Sequence, residues 1–316
     1  MLTHYTKVRI LVIKHGALGD IIQGLDSFAT IRAGNPKAHI TLMTGPNFAT
    51  LAESMPWFDD VIIDPRAGFF NFLATFSIRR HLRQNWSLVV DMQCSRRTNQ
   101  YFSHFLPPGT RWIGRAPGCS DLLPDFIGVN NRERMLLTAE LAGGVRQNAD
   151  MDWLNTINAD SQSDYLADNT KAYAVMVPGC SLAKPQKRWP AKHFAAVAND
   201  LAARGIIVYL VGTRVDRSAI DSVLADAPSA IDSCGRTNLT GLTRLMKGAS
   251  YVIGNDTGPI FLSAKIGAPT LMIMGPDTDP TMSAPTGRIC KWLRGAPISS
   301  ITVKAALNAL CSLSGS

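Results

Sequence analysis

Along the first half of the chain, short β-branched runs alternate with stretches whose apolar residues recur at helical spacing. Arg9 to Ile13 is such a run; a glycine-bearing turn, Gly16-Ala17-Leu18-Gly19, follows, and then Ile21, Leu25, Phe28 and Ile31 share one helical face. The pattern predicts strand, loop, helix. It continues through His39 to Met43, Asp60 to Asp64 and Leu88 to Asp91 as strands, with a helix from roughly Phe69 to Gln84. Strands alternating with helices imply a parallel sheet.

The second half restarts in the same manner. Ala172 to Val177 enters Pro178-Gly179-Cys180-Ser181, and a helix is predicted from Pro190 to Ala203, ending at Gly205. Proline at the start and glycine past the end are the expected punctuation. Further strands are predicted at Ile206 to Val211, Tyr251 to Gly254 and Thr270 to Met274, and helices near Asp216 to Leu224, Leu239 to Lys247, Ile260 to Ile266 and Ile301 to Leu313. The polar stretch from Asn155 to Thr170 lacks an apolar period and reads as a linker. The chain is therefore read as two α/β domains, 1–160 and 161–316, the second closing on a C-terminal helix. In open sheets of this kind ligands bind at the carboxyl ends of the strands, and a cleft between domains is the default ligand site.

Composition narrows this picture. Of 316 residues, 46% are apolar and 18% charged, which excludes a disordered or fibrous protein. The net charge of +8 is uneven: 16 basic residues face 14 acidic ones through Asp160, and 16 face 10 beyond it. The excess is dispersed, without a run of five like charges, which suits a small phosphorylated ligand better than nucleic acid. Six cysteines form no C-x-x-C pair, so no zinc site is expected and a reducing, cytoplasmic compartment is. The Val8 to Lys14 run is too short and interrupted for a signal peptide, and nothing approaches the length of a membrane span.

Three strand-end loops carry the candidate chemistry. The first, Lys14-His15-Gly16-Ala17-Leu18-Gly19-Asp20, has neither the dinucleotide fingerprint nor a nucleoside-triphosphate loop. Asp20 suits two compatible roles: a first-turn acid that stabilises the helix start, or a general base taking a proton from an attacking hydroxyl. The second runs from Pro178 through Ser181 to Pro190 and brings Lys184, Lys187, Arg188 and Lys192 to a helix start, where cations oppose the helix dipole unless an anion is near. A solvated basic turn is the alternative. The third, Gly254-Asn255-Asp256-Thr257-Gly258-Pro259, opens another helix, whose N-terminus is a ready anion site, while Asp256 can accept from sugar hydroxyls or cap the helix. Gly275-Pro276-Asp277-Thr278-Asp279-Pro280 reads as a rigid turn. Asp216 can meet ribose hydroxyls or begin a helix.

Taken together, these motifs resemble glycosyltransferase family 9, the ADP-heptose:lipopolysaccharide heptosyltransferases, from about Val8 to about Gly287. The resemblance implies a GT-B architecture, two Rossmann-like domains facing across a cleft, and metal-independent, inverting transfer of heptose from ADP-heptose to the lipopolysaccharide inner core. It implies work in the cytoplasm at the inner face of the inner membrane, with peripheral membrane association, and no cofactor beyond the ADP-sugar donor. The family's catalytic aspartate falls on Asp20, its phosphate-binding lysine on Lys187, and its donor-binding Asp-Thr-Gly on Asp256, Thr257 and Gly258. Ser181 and Asp216 join the donor side, and Arg66, Arg96 and Arg97 are candidates for an anionic glycolipid acceptor.

Two departures touch the donor side. Phe261 stands where many members carry histidine, and the Gly275 to Pro280 turn is one residue longer than the common Gly-Pro-Thr-Asp-Pro. They leave open a transferase for another nucleotide sugar, and, from another class, a non-catalytic nucleotide-sugar-binding relative.

Overall fold

The computed structural model describes residues 7–68, 71–155, 171–181 and 183–313. The chain divides into two compact units, Met1–Trp153 and Leu154–Ser316. Most of the stretch read as a linker lies outside the described residues; its first residue, Asn155, ends a short 3-10 turn, Asp152–Asn155.

The first unit contains β1 (Arg9–Ile13), α1 (Leu18–Gly34), β2 (His39–Thr44), α2 (Ala49–Glu53), β3 (Asp60–Ile63), α3 (Phe72–Leu82), β4 (Leu88–Asp91), α4 (Arg96–Phe105), β5 (Arg111–Gly114), β6 (Asp121–Leu122) and α5 (Asn131–Leu141). Its six strands are parallel, in the order β3-β2-β1-β4-β5-β6. The central strands are buried on both faces, which is why β1 reads as a continuous apolar run. One face packs Leu11, Ile13 and Val89 with Ile78, Leu82, Trp86, Tyr101 and Trp112. On α1, Ile21, Leu25 and Phe28 are buried, as are Met135 and Leu136 of α5, the helix it packs against. Asp26, buried in α1, accepts from the Ala149 N–H at 2.7 Å and pairs with Arg132, which ties α1 to the segment after β6.

The second unit contains β7 (Tyr173–Val177), α6 (Ala191–Ala203), β8 (Ile207–Gly212), α7 (Arg217–Leu224), β9 (Ile231–Cys234), α8 (Leu239–Lys247), β10 (Tyr251–Asn255), α9 (Gly258–Lys265), β11 (Thr270–Met274), α10 (Pro280–Ser283), β12 (Cys290–Arg294) and α11 (Val303–Cys311). The sheet order β12-β11-β10-β7-β8-β9 is again wholly parallel. Counted within their own units, both sheets run 3-2-1-4-5-6, the dinucleotide-fold order. The core on one face joins Trp189, Phe194, Val197 and Leu201 to Ile220, Val223, Ile253, Ile273 and Leu310.

Several elements escape the apolar pattern. The edge strands β9 and β12 are only partly buried, so little alternation marks them. On α4 only Thr98 and Tyr101 are buried, too few for a period. The helix expected from Phe69 is Phe72–Leu82 instead, because the Asn71 side chain accepts from the Ala74 N–H at 3.1 Å and caps it there. Among the described residues no helix is long and apolar enough to cross a membrane.

Candidate functional site

In an open parallel sheet the order reverses at one point, and the loops at the carboxyl ends of the two strands flanking it diverge to leave a crevice. In the first unit those strands are β1 and β4; in the second they are β7 and β10. The three candidate loops all leave from these strands: Lys14 to Asp20 from β1, Pro178 to Pro190 from β7, and Asp256 to Pro259 from β10.

At the first of these, Lys14 prolongs β1 by donating its N–H to the Met43 carbonyl at 2.9 Å. His15 N–H donates to Gln93 Oε1 at 3.0 Å, joining the loop after β1 to the loop after β4. Gly16 adopts φ +116°, a conformation that disfavours any side chain, and a Cβ there would also meet the Phe48 ring at 2.2 Å. The turn delivers Asp20 to the third position of α1, where its carboxylate accepts from the Ala17 N–H at 3.1 Å. Ala17 has no side-chain acceptor, so only this half of a capping box exists, worth about 1 kcal/mol. Asp20 is half-buried, and one carboxylate oxygen stays outside this bond.

A buried polar network lies beneath. Asp64, which follows β3, accepts from Tyr101 Oη at 2.5 Å and from the Arg66 N–H at 2.8 Å, and its Oδ2 lies 2.9 Å from His15 Nε2. Burial alone would raise the Asp64 carboxyl, but His15, Tyr101 and the Arg66 N–H outweigh it and hold the carboxyl down at about 2. Burial pushes the Lys14 ammonium down, opposed by nearby Asp20, and burial pushes the enclosed Asp91 carboxyl up. Arg97 donates to Tyr101 Oη at 2.9 Å and to the Ala67 carbonyl, so it braces this network. Arg66 and Arg96, by contrast, are exposed.

In the second unit the buried Asn255 joins two loops. Its Oδ1 accepts from the Trp189 N–H at 2.9 Å and its Nδ2 donates to the Pro178 carbonyl at 2.8 Å. Next to it, Lys187 Nζ donates to Asp256 Oδ2, and Thr278 Oγ1 donates to the same oxygen at 2.7 Å. The side chains of this pair are 17% and 8% exposed, so removing one partner leaves the other charge poorly solvated. At the start of α9, Thr257 is extended and makes no side-chain cap, and Pro259 offers no N–H, so the first donors of the helix, on Thr257 and Gly258, are left without a cap from the helix's own side chains.

Asp216 lies between two glycines, Gly179 and Gly212. Its Oδ2 accepts from the N–H and hydroxyl of Thr213, both at 2.9 Å, while a Cβ on Gly179 would meet Oδ1 at 2.1 Å. Ser181 is exposed in the same loop. Alongside, a cavity of about 260 Å³ is lined by residues that include Pro178, Arg188, Trp189, Ser218 and Ser222. Among the described residues the buried Arg188 Nε has no hydrogen-bond partner.

The structure thus brings Lys187, Asp256, Thr257 and Gly258 together, sets Asp216 and Ser181 beside the same loop, and places Asp20 on the other unit with Arg66, Arg96 and Arg97. Sequence reasoning assigned no role to Asn255 or Thr278, although both sit inside quoted motifs. It also missed Asp64 and Tyr101, which are 37 residues apart and carry no local signal. Among the described residues no group of three His, Cys, Asp or Glu side chains is placed to hold a metal ion.

The chain is 24% identical over 311 residues to lipooligosaccharide heptosyltransferase 2 of Haemophilus ducreyi, covering 89% of this chain and 87% of the relative. Its fold matches a glycosyl transferase family 9 structure from Veillonella parvula, with TM-score 0.81, 20% identity and 97% of each chain covered. It also matches the E. coli heptosyltransferase WaaC with ADP, with TM-score 0.77, 18% identity, 97% of this chain and 100% of the other. A more distant fold neighbour, at TM-score 0.61 and 13% identity over 98% of this chain and 80% of the other, is the dodecameric iron-containing glycosyltransferase TibC of E. coli. These matches establish the two-domain GT-B fold. The profile of glycosyltransferase family 9 (heptosyltransferase) matches residues 131–302, more than half of the chain, which therefore belongs to that family of glycosyltransferases.

Proposed function

We propose that the chain transfers a heptose from ADP-heptose to an inner-core sugar of lipopolysaccharide, by a single inverting displacement that needs no metal ion. The observation that carries this reading is the grouping of Lys187 and Asp256 with the uncapped start of α9 at the β7–β10 reversal. A leaving diphosphate develops charge that must be stabilised, and an ammonium beside the backbone N–H groups of an uncapped helix start supplies that stabilisation. Asp256, by holding Lys187, fixes where the ammonium sits. Asp216 meets the donor ribose, and Ser181, in the loop after β7, also binds the donor.

Asp20 takes the proton of the acceptor hydroxyl as it attacks the anomeric carbon. Its free carboxylate oxygen is the accepting atom, while the other holds the Ala17 N–H. ADP departs from the opposite face, so the anomeric configuration inverts and no covalent enzyme intermediate forms. Arg66 and Arg96 attract an anionic glycolipid acceptor, and Arg97 orders the loop that carries Arg66. The reaction takes place at the cytoplasmic face of the membrane that holds this acceptor.

Mass spectrometry of the inner-core glycolipid from cells with and without the protein tests the reading. A missing heptose supports it, and an unchanged glycolipid removes it. Transfer by purified protein that survives exhaustive chelation supports the metal-free step; activity that returns only on adding a metal ion overturns it.

A different nucleotide sugar is the second reading, favoured by the buried Phe261 ring in the first turn of α9, where many family members carry a polar histidine. Thermal stabilisation by ADP, UDP and GDP and by their sugars separates the two. Selective stabilisation by ADP-heptose keeps the first reading.

A further inference from the structure

The exposed face of α3 is divided along its length. Phe72, Leu73 and Phe76 are 80%, 86% and 68% exposed, an unusual concentration of large apolar side chains on a helix whose opposite face, Ile78 and Leu82, is buried in the core. At 100° per residue, Arg79, Arg80 and Arg83 fall on the same outward arc as Phe72 and Phe76, about 10 Å further along the axis. The three arginines are exposed, and none forms an ion pair among the described residues.

The surrounding chain has the same sign. Between Asp64 and Asp121 there are eight arginines and a single acid, Asp91, which is fully buried. Arg111 pairs with Asp121, Arg115 with Asp125, and Arg97 belongs to the Asp64 network. Arg66 and Arg96 add exposed positive charge on the loop before α3 and on α4, the helix it packs against. The modest net charge of the first unit therefore conceals a strongly cationic region.

We infer that this face of α3 docks the protein on an anionic phospholipid bilayer. Phe72, Leu73 and Phe76 enter the boundary between headgroups and acyl chains, while Arg79, Arg80 and Arg83 stay at headgroup level against lipid phosphates. Apolar side chains next to unpaired cations on one helix are what an interfacial segment requires, and each arginine near an anionic surface adds to the attraction. A second copy of this chain suits the face less well. It would bring further arginines to a stretch that carries eight arginines and a single, buried acid. The inference goes beyond the transfer reaction and is independent of the donor and acceptor.

Co-sedimentation with vesicles tests it, using the full chain without donor or acceptor. The protein should bind vesicles of equal parts phosphatidylglycerol and phosphatidylcholine at least ~10-fold more strongly than pure phosphatidylcholine, and less strongly as salt rises. The F72S/L73S/F76S variant, with unchanged thermal unfolding and ADP affinity, should lose at least ~10-fold of that binding, and R79E/R80E likewise. Absent or charge-independent binding by the wild type overturns the inference, as does full binding by the folded triple variant. Concentration-dependent dimers that the triple variant abolishes, with no vesicle binding, would assign the face to a second copy and overturn it too.

Discussion

Lys187 and Asp256, 69 positions apart in the chain, are ion-paired at the carboxyl ends of β7 and β10, where the order of the second sheet reverses. The pair gives the ammonium one fixed position before any anion arrives. Thr278 donates to the same carboxylate oxygen from the turn after β11, so three strand-end loops meet at Asp256.

Removing the ammonium isolates its contribution. Lys187→Ala should weaken ADP binding by about 1–3 kcal/mol, the range for a charge-assisted contact, as read by calorimetry. On the proposal that Asp256 acts through Lys187, Asp256→Asn in the Lys187→Ala background should change ADP affinity by less than it does alone. Strict additivity would show that Asp256 contacts the donor independently.

Asparagine at position 20 keeps an acceptor for the Ala17 N–H but cannot take a proton. Asp20→Asn should therefore unfold within about 0.5 kcal/mol of the wild type, bind ADP within a few-fold, and lose roughly 100-fold or more in transfer rate. Asp20→Ala should also lose about 1 kcal/mol of stability. Wild-type turnover by the asparagine variant would take Asp20 out of the reaction.

The Asp64 network predicts an acid limb in stability. The carboxyl lies at about 2, below its ordinary 3.8, so its charged form favours the folded state above pH 3.8. That contribution is lost as pH falls from 3.8 through about 2, and amounts to roughly 2 kcal/mol. Denaturant unfolding across that window should be shallower for Asp64→Asn, which has nothing to titrate there. Equal slopes for the two proteins would mean that Asp64 is not held down.

Gly179 is bound to Asp216 by space. Gly179→Ala would drive its Cβ into Asp216 Oδ1 and should cost about 1–3 kcal/mol in thermal or denaturant unfolding. Shortening the obstructing side chain with Asp216→Ala should recover part of that loss in the double variant, a positive coupling. No recovery would show that the strain falls elsewhere.

The α/β class, the repetition in two halves and the three strand-end loops were legible in the chain. Each is a local pattern: apolar runs of strand length, helical spacing, and glycine or proline at the junction. The place of Asp20 in the first turn of α1 was legible because an acid after a glycine turn is a local arrangement, and the strand-end positions of Lys187 and Asp256 because each lies within a short motif. The edge strands β9 and β12 and the polar helix α4 were not, since half-exposed elements need few apolar residues and leave no period to find.

Only the tertiary structure decided which of these residues meet. The pairing of Lys187 with Asp256, the Asn255 link between two loops, and the Asp64–Tyr101 bond with Arg97 braced against it join positions dozens of residues apart through parallel strand order. It also separated the arginines, assigning Arg97 to a buried network and leaving Arg79, Arg80 and Arg83 on an outward face beside exposed phenylalanines. The physical reason is common to both. A sequence records what each residue is and how its neighbours are spaced, whereas pairing and exposure depend on which distant segments the sheet brings together.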